Sequence, residues 1–330
     1  MDNLTHTLAG LLMSRAGLDR FCPRAPLILM IAANIPDFEV PLVFYSEEMY
    51  LGHHRGASHG LAAAPLLACV PLVIAFLRRR GEFPWRRAWL ISLAGVLSHL
   101  LLDWTNIYGI RLLAPFSYRW FALEITSVVD AWIWLALIGA ALWPLLERLV
   151  SAEIGARAKP GRGLAAAALS FLIVYDAGRF VLHQRAVAVQ EARLYRGATP
   201  SRVAAFPTYG NPFTWRGLVE TREFYVMQQV GLLGEFDPAP GRVYYKPLEH
   251  PAMEAARRTS PFQVFHQWSR YPLWRLVPLP ESGWKAQMTD LRFALPGEER
   301  FVATALLDGR LRVARSWYQF DPPGGGARFR

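Results

Sequence analysis

The sequence predicts a mainly helical fold: a polytopic membrane bundle of about six helical segments, followed by a strand-rich extramembrane domain. Hydrophobic residues make up 53% of the 330-residue chain and charged residues only 19%, a balance that ordinary soluble enzymes lack. Long apolar runs alternate with short arginine-bearing loops up to residue 182, and prolines, glycines and alternating apolar residues follow from residue 183. We therefore expect a helical membrane domain over residues 1–182 and an extramembrane α+β or β-rich domain over residues 183–330.

Apolar segments recur through the first part of the chain. A helix that spans a membrane needs about 20 residues, with roughly 17 as the practical minimum, so several of these runs are short when taken singly. Their repetition favours membrane embedding, and the first is short enough to dip into the membrane instead of crossing it. The six segments are Leu4–Ser14, Pro26–Phe44, Leu61–Leu77, Ala88–Leu102, Ala131–Leu146 and Gly163–Leu182.

Charge and cysteine content exclude several classes of protein. The formal net charge is +10, but the basic residues are spread over both parts of the chain, and arginines at the ends of apolar segments are typical of membrane proteins. We therefore expect membrane lipid, and no nucleic acid, as a partner. Cys22 and Cys69 are too few for a disulfide framework or a cysteine-type zinc site. The N-terminus lacks the basic leader of a cleavable signal peptide.

The arginines predict an orientation in a bacterial-type inner membrane. Basic loops stay in the cytoplasm, and the most basic short loop contains Arg78, Arg79, Arg80, Arg86 and Arg87. With this loop inside, the basic loops at 15–24 and 148–162 fall on the same side. Six crossings then place the 45–60 and 105–128 loops, together with the C-terminal domain, outside the cytoplasm.

Histidines and aspartates are the polar residues that membrane embedding does not explain. Five of the eight histidines lie within residues 1–103, and they are His6, His53, His54, His59 and His99. His99 and Asp103 are four residues apart, a spacing that stacks both side chains on one face of a helix. Asp37 lies inside an apolar segment, where ionisable residues are costly and therefore candidates for function.

The predicted orientation brings these residues towards one face of the membrane, although no histidine was used to assign it. Imidazoles and carboxylates from several elements suit zinc, manganese or iron. Each residue also has a plain structural interpretation: His99 as a helix-contact residue, His53 as a solvated loop residue, Asp37 and Asp130 as helix caps. As a group they favour a metal site, with zinc as the first choice.

Four motifs resemble those of the YdjM-like family of membrane-bound, predicted metal-dependent hydrolases. They are Met1–Gly10, Asn34–Asp37, His54–His59 and His99–Trp104, which occur in the family's order and cover roughly residues 1–130. The resemblance implies an inner-membrane protein and a hydrolase whose histidines and aspartates bind metal. The implied ligands are His6, Asp37, His54, His59, His99 and Asp103, enough for two ions; His53 lies outside the motif.

The leading functional hypothesis is a membrane-bound metal-dependent hydrolase that activates water at the outer face of the bundle. Asp37 and Asp103 are the candidate catalytic carboxylates because either can take a proton from that water. Arg55 and Arg111 are candidate substrate-binding residues for an anionic ester or lipid. One alternative is a non-catalytic membrane protein with a structural metal site and a partner-binding C-terminal domain. Another is an ion-coupled transporter with Asp37, His99 and Asp103 along its ion path.

Overall fold

The structure is a computed structural model that describes residues 1–22, 24–77, 83–153, 161–280, 282–295 and 300–320. Its N-terminal half is helical and its C-terminal region is rich in strands. About 48% of the residues are helical, so the expectation of a mainly helical fold holds for the N-terminal half and not for the whole chain.

Ten α-helices and eight strands are found within the described residues. The helices are α1 (Asn3–Arg15), α2 (Ala25–Ala32), α3 (Glu47–His53), α4 (Ala64–Leu67), α5 (Val70–Leu77), α6 (Trp85–Thr105), α7 (Ala131–Glu153), α8 (Arg162–Glu191), α9 (Pro251–Arg257) and α10 (Ser260–Trp268). The strands are β1 (Arg202–Pro207), β2 (Thr214–Glu220), β3 (Phe224–Gly231), β4 (Arg242–Tyr245), β5 (Pro272–Pro278), β6 (Trp284–Asp290), β7 (Val302–Leu307) and β8 (Val313–Gln319). Short 3-10 segments lie at Leu18–Arg20, Ile35–Phe44 and Ala57–His59.

Three helices of the described residues are long and apolar enough to cross a membrane, namely α6, α7 and α8. The number rises to five if two bent helix pairs each count as one span. The six predicted crossings are therefore not confirmed, since α1 has only 13 residues and a span needs about 20. Arg78, Arg79 and Arg80, on which the orientation was based, lie outside the described residues.

The chain forms two compact units. The first consists of Met1–Phe38, Arg55–Val219 and Met227–Gly241; the second consists of Glu39–His54, Glu220–Val226 and Arg242–Arg330. The predicted boundary between residues 182 and 183 stays a prediction, and α8 runs through it without interruption as far as Glu191.

Close helix packing in the first unit depends on two glycines. A Cβ atom on Gly10 would lie 2.6 Å from the carbonyl oxygen of Leu29, and one on Gly95 would lie 2.7 Å from the Cβ of Ala32. Larger residues would push α1 and α6 away from α2, as at the small-residue helix contacts common in membranes. Gly95 lies one helical turn before His99, so the same close approach brings His99 to the end of α2.

The second unit contains an antiparallel sheet of four strands in the order β5-β6-β7-β8. β5 and β6 pair in a register that sets Pro272 opposite Asp290. Asp290 ends β6 and is fully buried with Arg292, whose guanidinium Nη2 is 2.9 Å from the Asp290 carboxylate. The carboxylate also accepts hydrogen bonds from the Ser269 hydroxyl at 2.9 Å and the Arg270 backbone at 2.7 Å. These contacts all involve Oδ2, and Oδ1 accepts from the Arg292 backbone at 2.9 Å, so both oxygens of this buried carboxylate have a donor.

Candidate metal centre

Four of the side chains that the sequence singled out lie together in the first unit. Asp37 lies in the 3-10 segment after α2, and His59 ends the 3-10 segment before α4. His99 and Asp103 lie on successive turns of α6, stacked by their spacing of four residues. All four are buried, and one ligand atom from each lies within 4.8 Å of the other three.

The distances among these atoms match those around a single cation. His59 Nε2 lies 3.1 Å from His99 Nε2. Asp103 Oδ2 is 3.3 Å from the first nitrogen and 3.5 Å from the second, and Asp37 Oδ1 is 3.4 Å and 3.8 Å from them. Metal–ligand bonds of about 2.0–2.2 Å in tetrahedral geometry separate neighbouring ligand atoms by roughly 3.3–3.6 Å. The cluster therefore has the size of a metal coordination sphere.

The hydrogen bonding of His99 fixes which of its nitrogens faces the cluster. His99 Nδ1 lies 2.7 Å from the carbonyl oxygen of Ala33, and because a carbonyl only accepts, Nδ1 carries the proton. The Nε2 lone pair of a neutral His99 then points to His59. Ala33 directly follows α2, where helix carbonyls lack intrahelical partners. Histidines that bind metals usually donate their other ring N–H to an outer group such as a backbone carbonyl, which fixes the orientation of the ring. The Ala33 carbonyl would have this role for His99.

Asp103 is held so that its two oxygens have different roles. Oδ1 accepts hydrogen bonds from Arg55 Nη2 at 2.9 Å and from Asn106 Nδ2 at 3.2 Å, and it also contacts the α-amino nitrogen of Met1. Asn106 Oδ1 in turn accepts from Arg55 Nη1 at 3.1 Å and from the backbone of Tyr108 at 2.8 Å. Arg55 and Asn106 therefore clamp Oδ1 and leave Oδ2 facing the two imidazoles.

Two carboxylate oxygens in this cluster are buried without a hydrogen-bond donor in the described part of the chain. They are Asp37 Oδ1 and Asp103 Oδ2, the same two oxygens that face His59 and His99. Burying an unpaired carboxylate oxygen is costly unless a cation or donor compensates it. The candidate ligand atoms, two imidazole nitrogens and two carboxylate oxygens, therefore suit a divalent metal ion.

His6 borders the cluster without belonging to the group of four. Its ring stacks on that of His99 with centroids 3.8 Å apart, and its Nε2 lies 3.4 Å from Asp103 Oδ1. Neither ring nitrogen of His6 makes a hydrogen bond to a described residue. Among the six predicted ligands, His6 is thus an additional nitrogen beside the site.

His54 lies in the second unit, and the group of four does not include it. Within that unit its Nδ1 is 3.5 Å from Glu39 Oε1, and its ring stacks on Tyr50 at 4.4 Å. His53 is exposed, as predicted, but it is the last residue of α3 and not a loop residue; its Nδ1 is 2.9 Å from the carbonyl oxygen of Met49, four residues earlier in the helix. The metal-ligand role of His54 stays a prediction.

The two predicted substrate-binding arginines have different surroundings. Arg55 has a positive φ of 53° and directs its guanidinium to Asp103 and Asn106. The buried Arg111 guanidinium lies over the ring of Trp120, 4.8 Å from its centroid. Burial lowers the pKa of the Arg111 side chain from its ordinary value.

Asn106 is a site residue that the sequence analysis missed, and it ends α6 as its C-cap. The only sequence feature that could have indicated it is a polar residue three positions after a buried aspartate.

Comparisons with known proteins agree with the motifs. The family described as YdjM inner membrane protein matches residues 1–186, a range that contains all six predicted ligands. An uncharacterized protein YfhP from Bacillus subtilis (strain 168) is 27% identical over 153 residues, which is 43% of this chain and 46% of that relative. The match thus spans about half the length of this curated relative. No solved structure gives a significant match.

Proposed function

The chain belongs to the YdjM family of inner membrane proteins, and on that premise we propose that it is a membrane-bound metal-dependent hydrolase. One observation carries the proposal: two buried carboxylate oxygens, which have no hydrogen-bond donor among the described residues, face two imidazole nitrogens at metal-ligand spacing. His59, His99, Asp37 and Asp103 would hold one divalent ion, with zinc first and manganese or iron as alternatives. Such an ion supplies Lewis acidity and lowers the pKa of a bound water to about 7.

The two aspartates differ in what they can do beside such a site. Asp103 is fully buried and clamped by Arg55 and Asn106, so its role is to hold a fixed oxygen in place. Asp37 keeps 8% of its surface exposed, and its own backbone angles are non-helical. We therefore assign proton transfer to Asp37, through the carboxylate oxygen that does not face His59. Of the two carboxylates predicted to be catalytic, Asp103 would then be a metal ligand with a fixed position.

An anionic ester or lipid remains the proposed substrate class. Because Arg55 already binds Asp103, Arg111 is the better candidate for an anionic group of the substrate. Its distance of 4.8 Å to the Trp120 ring centroid suits a cation held by an aromatic face.

Hydrolysis is the first test. Purified full-length protein is expected to hydrolyse at least one member of a panel of phosphoester, carboxylester and amide substrates, and a chelator should abolish this activity. Asp37→Asn should lower turnover by about 10²–10⁴-fold, the usual contribution of a positioned acid or base. The exposed-site variant Asp308→Asn serves as the control. Hydrolysis that survives both the chelator and Asp37→Asn would belong to another site.

Asn106 and Arg55 give a second test, which separates positioning from substrate binding. Asn106→Leu is expected to weaken metal binding about 10–100-fold, because losing an outer support of a ligand has this effect. Arg55→Lys keeps the charge and should retain more metal affinity than Arg55→Gln. Competition with a chromophoric chelator measures both. If Arg55→Gln changes only KM and leaves metal affinity intact, Arg55 binds substrate instead.

A structural metal site in a non-catalytic protein is the second candidate function. Its supporting observation is burial: His59, His99 and Asp103 have no exposed surface, and a closed coordination sphere has no place for substrate. Bound metal without turnover of any substrate in the panel would favour this alternative.

We also propose that the C-terminal region lies outside the cytoplasm. Arg86 and Arg87 begin α6, Arg148 lies near the end of α7 and Arg162 begins α8. If basic ends stay inside, α6, α7 and α8 cross outward, inward and outward, which leaves the strands outside. An alkaline phosphatase fusion at the C-terminus should be active and a cytoplasmic reporter fused there inactive; the reverse pattern would refute this orientation.

A further inference from the structure

The start of α6 is flanked by two apolar grooves, each with an arginine at its rim. The larger, of about 570 Å³, lies between α5 and α6. The smaller, of about 200 Å³, lies on another side of α6, next to the 3-10 segment that follows α1. The larger is lined by Leu72, Val73, Trp85, Trp89, Leu90 and Arg86. The smaller is lined by Leu18, Phe21, Leu90, Ile91, Ala94 and Arg87.

The two arginines reach different grooves because neighbouring residues of a helix point about 100° apart. Both side chains are exposed, and neither forms a salt bridge with a residue that the structure describes. Ala88, the next residue, is fully buried in a cluster with Ala25 and Ile28. The buried face of α6 is thus occupied by the protein, and the grooves open away from it.

Two positive charges in the first turn of α6 are unfavourable for the helix itself. The N-terminus of a helix carries a partial positive charge, which favours anions and disfavours cations. An anion bound beside the arginines would meet both this partial charge and the guanidinium groups. The helix start therefore has an anion preference beyond that of scattered surface arginines.

Aromatic residues set the depth of this region in a bilayer. Trp85 and Trp89 line the larger groove, and Trp89 donates its indole hydrogen bond to the carbonyl oxygen of Pro65 at 3.3 Å. Tryptophans are enriched where the acyl region meets the headgroups. Since α6 has the length and hydropathy of a span, we expect the arginines to lie at headgroup level and the groove walls beside the acyl chains.

We propose that the start of α6 is a binding site for an anionic phospholipid. The phosphate group contacts Arg86 or Arg87, and an acyl chain lies in the adjoining groove. Guanidinium groups bind phosphate in a bidentate manner, and anionic lipids are attracted to basic segments at the membrane surface. A free anion would use the arginines but not the grooves, whereas a phospholipid uses both.

Native mass spectrometry of the detergent-purified full chain tests this. Phosphatidylglycerol and phosphatidylcholine with the same acyl chains are the probes. The wild type should retain phosphatidylglycerol preferentially, and Arg86→Gln should weaken its retention about fivefold, with a further loss in the Arg86→Gln/Arg87→Gln double variant. Arg148→Gln, an exposed arginine near the end of α7, is the matched control and should have no effect.

A groove-filling variant separates a lipid site from charge attraction alone. Val73→Trp narrows the larger groove and leaves both arginines, so it should also reduce phosphatidylglycerol retention; glycerol phosphate without acyl chains should not compete. The proposal is overturned if the wild type retains the two lipids equally, or if Arg148→Gln weakens phosphatidylglycerol retention as much as Arg86→Gln does. It is also overturned if Val73→Trp leaves phosphatidylglycerol retention unchanged. In each of those cases the arginines act as topology signals only. None of these outcomes depends on metal binding or hydrolysis.

Discussion

His99→Ala is expected to lower the affinity of the protein for a divalent ion by at least about a hundredfold. Loss of an outer-shell partner alone costs about 10–100-fold in metal affinity, and His99 is placed as a direct ligand. Its Nε2 lies 3.1 Å from His59 and 3.5 Å from Asp103 Oδ2. Metal content after purification, followed by chelator competition, measures the change. In the wild type, added zinc should raise the unfolding temperature, because a ligand that binds only the folded state stabilises it.

Two controls keep this result interpretable. His99→Gln preserves most of the side-chain volume, so it separates loss of a ligand from a packing defect at a fully buried position. His183→Ala removes another buried histidine of the first unit, which lies on α8 and packs against Trp215 of β2. Wild-type metal affinity in His99→Ala, or an equal loss in His183→Ala, would be incompatible with the proposed site.

Arg292→Leu is expected to destabilise the second unit by about 3 kcal/mol, because removing one partner of a buried ion pair leaves an uncompensated charge. The estimate is at the low end of the usual range since Asp290 keeps hydrogen bonds from Ser269 and the Arg270 backbone. Urea unfolding is measured by pulsed amide hydrogen exchange in β6 and β7, with the pulse at one fixed pH. A lower midpoint urea concentration reports the loss of stability. Arg312→Leu breaks an exposed pair with Asp308 and should leave the midpoint unchanged.

The same ion pair predicts a pH dependence. Burial by itself raises the pKa of Asp290, but the Arg292 guanidinium and the surrounding hydrogen bonds outweigh it and hold the pKa below its ordinary value. A depressed folded-state pKa contributes stability that is fully present above the unfolded pKa of about 4 and is lost as the pH falls towards the folded value. The wild-type urea midpoint should therefore fall in that acidic window, and Asp290→Asn should remove part of this dependence. A midpoint equally pH-dependent in Asp290→Asn would show that other groups cause it.

Local patterns predicted the parts of the molecule that depend on local geometry. The spacing of His99 and Asp103 requires only a helix to bring them together, and α6 provides it. The apolar runs around α6, α7 and α8 likewise predicted the three helices that are long enough to span a membrane. The change to alternating residues predicted strands in the C-terminal region, where two four-stranded sheets are found.

Tertiary arrangement decided what the sequence did not reveal. His54 and His59 are five residues apart, yet they belong to different units, and no spacing rule predicts such a division. The roles of the Ala33 carbonyl and of Asn106 depend on tertiary contacts of two helix ends, the end of α2 with His99 inside α6 and the end of α6 with Arg55. The six predicted spans are not confirmed within the described residues, because apolar content alone does not separate a crossing helix from a short packed one such as α1.

The positions of the four candidate metal ligands in the chain have a consequence for biosynthesis. All four lie between residues 37 and 103, and Arg55, Asn106 and the two packing glycines also precede α7. A nascent chain that has inserted α6 thus already carries every side chain of the site, while the sheets are still to be translated. Metal can then be acquired early, and holding α6 against α2 would give the growing chain a stable edge for later helices. Pausing translation after α6 should yield a metal-loaded ribosome-bound intermediate.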